Sequence, residues 1–310
     1  MKLFIMKRPH PIVLSVFLFV AALLGASPAM AIEPAKLKLR SSSALVLDTE
    51  QDRPIYAKNP TSITPIASIT KLMTAMVVLD AELPLDERLL IDEADIDTIK
   101  GSHSRLRPGS ELSRRELLRL ALMASENRAA SALGRSYPGG TSAFVQAMNA
   151  KALLIGMTHA HFADPTGLSS DNVATAEDLA RMVIAAADYP LIREYSTAVS
   201  YSIEVPPYRQ PLDYRNTNGL VKSVNWDISL SKTGFIREAG RCLVMMATIA
   251  SRPVVIVLLD SMGKNSRIGD ANRIKQWMEA SLHPAPAKGR VRPAPRLLRY
   301  GALPPRNGSA

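Results

Sequence analysis

The chain has 310 residues, 47% hydrophobic and 21% charged, which allows one large domain or two small ones around a substantial core and excludes a largely disordered or fibrous protein. Its formal net charge of +10 sits mostly at the two ends: Lys2, Lys7 and Arg8 in residues 1–31, and Lys288, Arg290, Arg292, Arg296, Arg299 and Arg306 in residues 283–310, with no acidic residue in either segment. The part between them is nearly neutral, so the basic charge gives no reason to expect a nucleic-acid partner.

Residues 1–31 have the layout of a secretory signal peptide. A positive start leads into the apolar run from Ile12 to Leu24 and then the small-residue cleavage site Ala29-Met30-Ala31. The apolar run is short for a membrane span, which weighs against the alternative of an uncleaved anchor helix. No Cys follows the cleavage point, which excludes lipoprotein attachment, and the mature chain is expected to begin near Ile32.

Ser43 to Asp48 and Pro54 to Ala57 read as two strands of a hairpin across the polar turn 49–53. A helix is expected over about 67–81, apolar on nearly every face and therefore central and buried. Residues 85–110 hold short pieces only. Ser113 and Glu116 form a capping box that opens a helix running to Met123. Ser125-Glu126-Asn127 separates it from a second helix, 128–135, and a third follows over 142–155. Asp164-Pro165-Thr166-Gly167-Leu168 is a turn. Thr175 caps a helix running to Ala187. The last third reads as strands: 226–233, which alternates, then 243–249 and 254–259. A helix over 271–282 closes the domain. The pattern shows no internal repeat. Strands at both ends around a helical middle predict an α+β fold with one antiparallel sheet, over a domain spanning 32–282. The proline-rich tail 283–310 is expected to stay extended. Its plain reading is a solvated terminus; its functional reading is weak association with an anionic wall polymer or membrane surface.

Cys242 is the single cysteine, so an exported chain has no internal disulfide to rely on. Its apolar surroundings, Arg241-Cys242-Leu243-Val244-Met245-Met246, make it a small core side chain rather than a nucleophile. His159 and His161 lie two residues apart, as on one strand face, but no third ligand is evident; no metal site and no cofactor are expected.

The chemistry concentrates in three short strings. Ser68 and Lys71 stand three apart, so on a helix both side chains share one face. A serine hydroxyl needs an adjacent base, and a lysine serves when burial and neighbouring positive charge lower its pKa. Unpaired N–H groups in the first helical turn can stabilise negative charge on a substrate oxygen. Ser125 and Asn127, between two helices, can present a hydroxyl and an amide to a cleft. Lys232-Thr233-Gly234, read as the end of an alternating strand, offers a fixed charge, a hydroxyl donor and a bare backbone that an extended peptide could approach as an added strand. Alone, each string has a bland explanation as a cap or an exposed basic end. Together, in order, on helix, loop and strand, they are hard to attribute to accident.

With these motifs the chain resembles the penicillin-binding serine DD-peptidase family of low-molecular-mass type, over most of residues 40–282. The stretches Ser102 to Arg107, Ala124 to Ala130, Tyr137 to Gly140 and Asp164 to Leu168 look most like the periplasmic D-alanyl-D-alanine endopeptidases within it. The resemblance implies a β-lactamase/DD-peptidase-like fold whose mainly helical region carries Ser125-Glu126-Asn127. It implies Ser68 as the acylated nucleophile, Lys71 as its proton acceptor and Ser125 as proton relay. It implies Asn127, Lys232, Thr233, Gly234 and Phe235 at the substrate, with the N–H groups of Ser68 and Phe235 forming the oxyanion hole. The expected substrates are peptidoglycan stems and cross-links, with β-lactams as inhibitors. Two departures refine this. The prolines after Leu282 forbid a continuous C-terminal anchor helix, which favours a soluble periplasmic enzyme. No match to the deacylating glutamate motif of class A β-lactamases is found, so a penicilloyl adduct is expected to leave slowly. The alternatives are DD-carboxypeptidase action on stem peptides, a β-lactamase, and a non-catalytic wall-binding protein.

Overall fold

The computed structural model describes residues 37–205 and 211–282; the expected leader 1–31 and tail 283–310 lie outside the described residues. A five-stranded antiparallel sheet runs through the centre of the domain, built from β1 (Ser41–Asp48), β2 (Arg53–Lys58), β9 (Asp227–Ile236), β10 (Gly240–Ile249) and β11 (Arg252–Ser261). Its order is β2-β1-β11-β10-β9, so the N-terminal hairpin docks onto the C-terminal meander through the β1–β11 pairing, Leu45 opposite Val257. β9 is an edge strand of this sheet.

The apolar runs of β10 and β11 have a simple cause: both faces of the sheet are covered. Alternate residues serve two separate cores. Val244, Val255, Val257 and Leu259 face a large cluster that includes the helical region. Leu243, Met245, Val254, Ile256 and Leu258 face a second cluster with Ala271, Ile274 and Met278 of α7 (Ser266–Leu282). Each fully buried aliphatic side chain here contributes about 1.5–3 kcal/mol relative to exposure. Cys242 belongs to the first cluster, is fully buried, and burial pushes its thiol up to about 11.

The helical region is arranged around α1 (Lys71–Asp80), in which every residue from Lys71 to Val78 is buried. Around it stand α2 (Arg114–Met123), α3 (Asn127–Arg135), α4 (Gly140–Leu154) and α5 (Ala176–Ala187). α2 opens on the expected capping box of Ser113 and Glu116, and α5 on a second one formed by Thr175 and Asp178. Three short ladders complete the described part: β3 (Thr64–Pro65) with β6 (Val173–Ala174), β4 (Arg88–Leu90) with β5 (Glu111–Ser113), and β7 (Ser200–Ile203) with β8 (Leu212–Arg215).

Several elements differ from the sequence reading. The helix expected from about 67 begins as a 3-10 turn over Ala67–Thr70, and the α-helix starts only at Lys71. The strand carrying Lys232 does not end at Gly234: it runs to Ile236, so the motif lies inside β9, and its alternation stops at Leu230 because residues 230–234 are covered on both sides. His161 sits in an isolated bridge to Val173, not on a strand face shared with His159. A helix α6 (Pro190–Thr197) went unread, although Pro190 at its first turn is a recognised start signal.

Candidate active site

Three elements meet at Ser68. The 3-10 turn supplies Ser68 and leads directly into Lys71 at the head of α1. The residue before the serine, Ala67, adopts φ +48, a conformation that costs a non-glycine residue about 1–3 kcal/mol and marks a backbone held in place by its surroundings. Those surroundings are two glycines. A Cβ on Gly167 would lie 2.1 Å from Ala67 O and 2.9 Å from Ser68 N, and a Cβ on Gly234 would lie 2.8 Å from Ile66 O and 3.2 Å from Ser68 N. The turn is therefore clamped between the 164–168 loop and β9, and only residues without side chains allow that approach.

The Lys71 amine is fully buried and has three partners. Nζ lies 3.0 Å from Ser68 Oγ, 2.7 Å from Asn127 Oδ1 and 2.6 Å from Thr166 O. Two of these are pure acceptors and the third is a hydroxyl. As an ammonium it donates one N–H to each of the three; once it loses a proton, the two pure acceptors keep the remaining N–H bonds and the lone pair faces the Ser68 hydroxyl. Burial drives the Lys71 pKa down to about 8, against the opposing pull of the Asp164, Glu126 and Asp97 carboxylates.

Each acceptor is itself fixed. Asn127 is the first residue of α3, and its Nδ2 donates to Ser102 Oγ at 2.8 Å, which turns Oδ1 toward Lys71. Thr166 O is set by the turn that Asp164 organises: its carboxylate accepts from the backbone N–H of Thr166, Gly167 and Ser169. Ser125 has φ +60, so the chain reverses sharply between α2 and α3 and its hydroxyl faces β9.

On β9, Lys232 is almost fully buried, with Nζ 2.9 Å from Ser125 Oγ and 2.9 Å from Thr233 O. Burial, then the charges of Lys71 and Arg267, hold its pKa well below the usual lysine value. Thr233 Oγ1 donates to Thr217 Oγ1 at 2.7 Å. Arg267 of α7 donates to Gly234 O at 2.8 Å, which braces the strand from behind. Phe235 follows with a half-exposed ring on the cleft wall. A cleft of about 550 Å³ opens at Ser68; Ser102, Asn127, Leu168, Phe235 and Glu238 are among the other residues lining it.

The structure thus brings together Ser68, Lys71, Ser125, Asn127 and Lys232, and places Thr233, Gly234 and Phe235 on the adjoining edge strand. Sequence reasoning missed Ser102, Thr166, Thr217 and Arg267 as members of the site. Ser102 and Thr166 lay inside strings already singled out, but their contacts are long-range. No group of metal-ligating side chains capable of holding an ion occurs among the described residues.

Comparison with known proteins agrees with this geometry. Residues 29–263 match the model of a peptidase family described as D-alanyl-D-alanine carboxypeptidase. The chain is 48% identical over 275 residues to a D-alanyl-D-alanine endopeptidase of Pseudomonas aeruginosa, covering 87% of this chain and 89% of that protein. It is 48% identical over 265 residues to the protein of the same name in Escherichia coli, covering 84% and 85%. Among solved structures, the Streptomyces K15 DD-transpeptidase superposes with a TM-score of 0.72 at 27% identity, over 77% of this chain and 97% of that one.

Proposed function

Since the chain belongs to the D-alanyl-D-alanine carboxypeptidase family of peptidases, S11, we propose that it is a serine hydrolase that cleaves D-alanyl–diaminopimelate cross-links of peptidoglycan through an acyl-enzyme on Ser68. The observation that carries this reading is the buried Lys71 amine held between the Ser68 hydroxyl and two acceptors. The relatives at 48% identity are named endopeptidases, which favours the cross-link over the terminal D-alanine of an uncross-linked stem.

In the proposed mechanism the peptide lies along the free edge of β9, antiparallel to it, with the carboxylate of the D-centre beyond the scissile bond at Lys232 and Thr233. Ser68 Oγ attacks the D-alanyl carbonyl carbon as its proton passes to Lys71 Nζ. The N–H groups of Ser68 and Phe235 hold the developing oxyanion. The proton reaches the leaving nitrogen through Ser125, the C–N bond breaks, and the stem remains as an ester on Ser68. Water then attacks the ester, Lys71 takes its proton, and Ser68 is regenerated. A β-lactam follows the first half of this route and leaves slowly. No step calls on a metal or cofactor. We further propose export to the periplasm by the leader 1–31, with weak wall or membrane association through the basic tail 283–310. Among the described residues no helix is long and apolar enough to cross a membrane.

The test offers the pure protein a cross-linked muropeptide dimer and a monomeric pentapeptide, with Ser68→Ala as control. Conversion of dimer to monomers by the wild type alone supports the reading. Release of terminal D-alanine with an intact dimer would replace it with carboxypeptidase action.

A further inference from the structure

An ion pair crosses the mouth of the cleft and has no part in the mechanism above. Lys100 Nζ and Glu238 Oε1 are 2.6 Å apart. Lys100 belongs to the loop 97–102 on the helical side, and Glu238 to the turn joining β9 to β10. Both line the same cleft as Ser68. The Lys100 backbone is held firmly. Asp97 accepts from the N–H groups of Ile99, Lys100 and Ser102, and Ser102 in turn bonds Asn127. Glu238 is two residues past the last residue of β9. The Lys100 backbone is thus held relative to the nucleophile, and Glu238 stands on the opposite wall.

Their place along the cleft says which part of a substrate they meet. A peptide antiparallel to β9, with its carboxylate at Thr233 and its scissile carbonyl at Phe235, runs toward Ile236 and Glu238 with its donor residues. Successive residues of an extended peptide are about 3.4 Å apart, so the residue preceding the D-alanine lies beside the end of β9. In a cross-linked stem that residue is diaminopimelate. Its side chain extends about 6 Å and ends in a carbon bearing both an ammonium and a carboxylate. A lysine and a glutamate facing each other across a cleft present the complementary charges. The existing pair is partly exposed, with side chains 28% and 42% accessible, so opening it costs little.

We propose that Lys100 and Glu238 form a subsite for the zwitterionic end of the donor diaminopimelate side chain, Glu238 taking the ammonium and Lys100 the carboxylate. This rests on the cross-link reading above. In the bound state two intermolecular ion pairs replace one intramolecular pair, so the clasp becomes a recognition element. It selects donors whose side-chain terminus is free.

The two questions separate experimentally. In a muropeptide dimer the donor diaminopimelate carries the single free primary amine, and acetylation blocks it alone. Calorimetry on Ser68→Ala, which binds without turnover, compares the free and the acetylated dimer. The expected result is about three- to fivefold weaker binding of the acetylated dimer, with the difference abolished in Ser68→Ala/Glu238→Ala. Amidation of the donor carboxylate should weaken binding in the same way through Lys100. Equal affinity for free and blocked dimers, or discrimination that survives loss of Glu238, overturns the subsite while leaving the peptidase reading intact. Failure of the wild type to cleave either dimer overturns the peptidase reading instead, and calorimetric discrimination would still report on the two charges.

Discussion

In the proposed mechanism Lys71 serves as the base because of what surrounds its amine, not because of its identity. Full burial weakens the hydration that favours its charge, and once it is neutral the two acceptors at 2.7 and 2.6 Å leave its lone pair for Ser68. Acylation by penicillin should therefore rise with pH as Lys71 loses its proton, with a midpoint near 8. In the proposed mechanism Lys232, whose pKa burial also lowers, holds the substrate anion with its proton, so losing that proton should raise the KM for a substrate that carries the carboxylate. A stopped-flow acylation profile that stays flat from pH 6 to 10 would contradict the statement on Lys71. Ser102 matters because it orients the Asn127 amide. Ser102→Ala should slow acylation roughly tenfold, the worth of one hydrogen bond, and Ser102→Thr should restore much of it. The serine–lysine spacing was legible in the sequence because one helical turn fixes it. Ser102 and Thr166 were not, since their contacts with Asn127 and Lys71 join residues far apart in the chain.

Among the elements, β9 carries the heaviest demands. It must pair with β10 on one side, keep its other edge free for a peptide, and pass close to the turn at Ser68. Gly234→Ala places a methyl 2.8 Å from Ile66 O, so either the strand or the turn must shift. A displacement of about 1 Å lowers acylation on the order of 100-fold, with little change in far-ultraviolet circular dichroism. α7 is a different case, because it stabilises the sheet from the face away from Ser68. Ile274→Ala should cost about 2–5 kcal/mol in denaturant unfolding while the folded enzyme acylates normally. The helices with capping boxes, α2 and α5, were legible because Ser113 and Thr175 announce them. The end of β9 was misjudged because a glycine usually closes a strand, whereas here it admits the neighbouring backbone. The 3-10 start of α1 was hidden because its cause, the clamp by Gly167 and Gly234 on Ala67, is tertiary.

For the whole molecule, the two cores on opposite faces of one sheet make a rigid wall, and the helical region supplies the opposing one. Every group placed at the cleft lies within residues 66–267. A chain of residues 32–282 should thus acylate at the full-length rate within about twofold; a large loss would assign the removed residues a part in catalysis. The α+β class and the antiparallel sheet were readable from strands at both termini of the domain. The strand order was not, because pairing β1 with β11 depends on closure across the whole chain.

The central claim is that the hydroxyl of Ser68 is the atom acylated. It is tested most directly by treating the protein with penicillin, digesting it and locating the adduct by mass spectrometry. The account predicts a single penicilloyl group on the peptide containing Ser68, formed in the wild type and absent from Ser68→Ala. An adduct on any other residue, or one that persists in the Ser68→Ala protein, would contradict it.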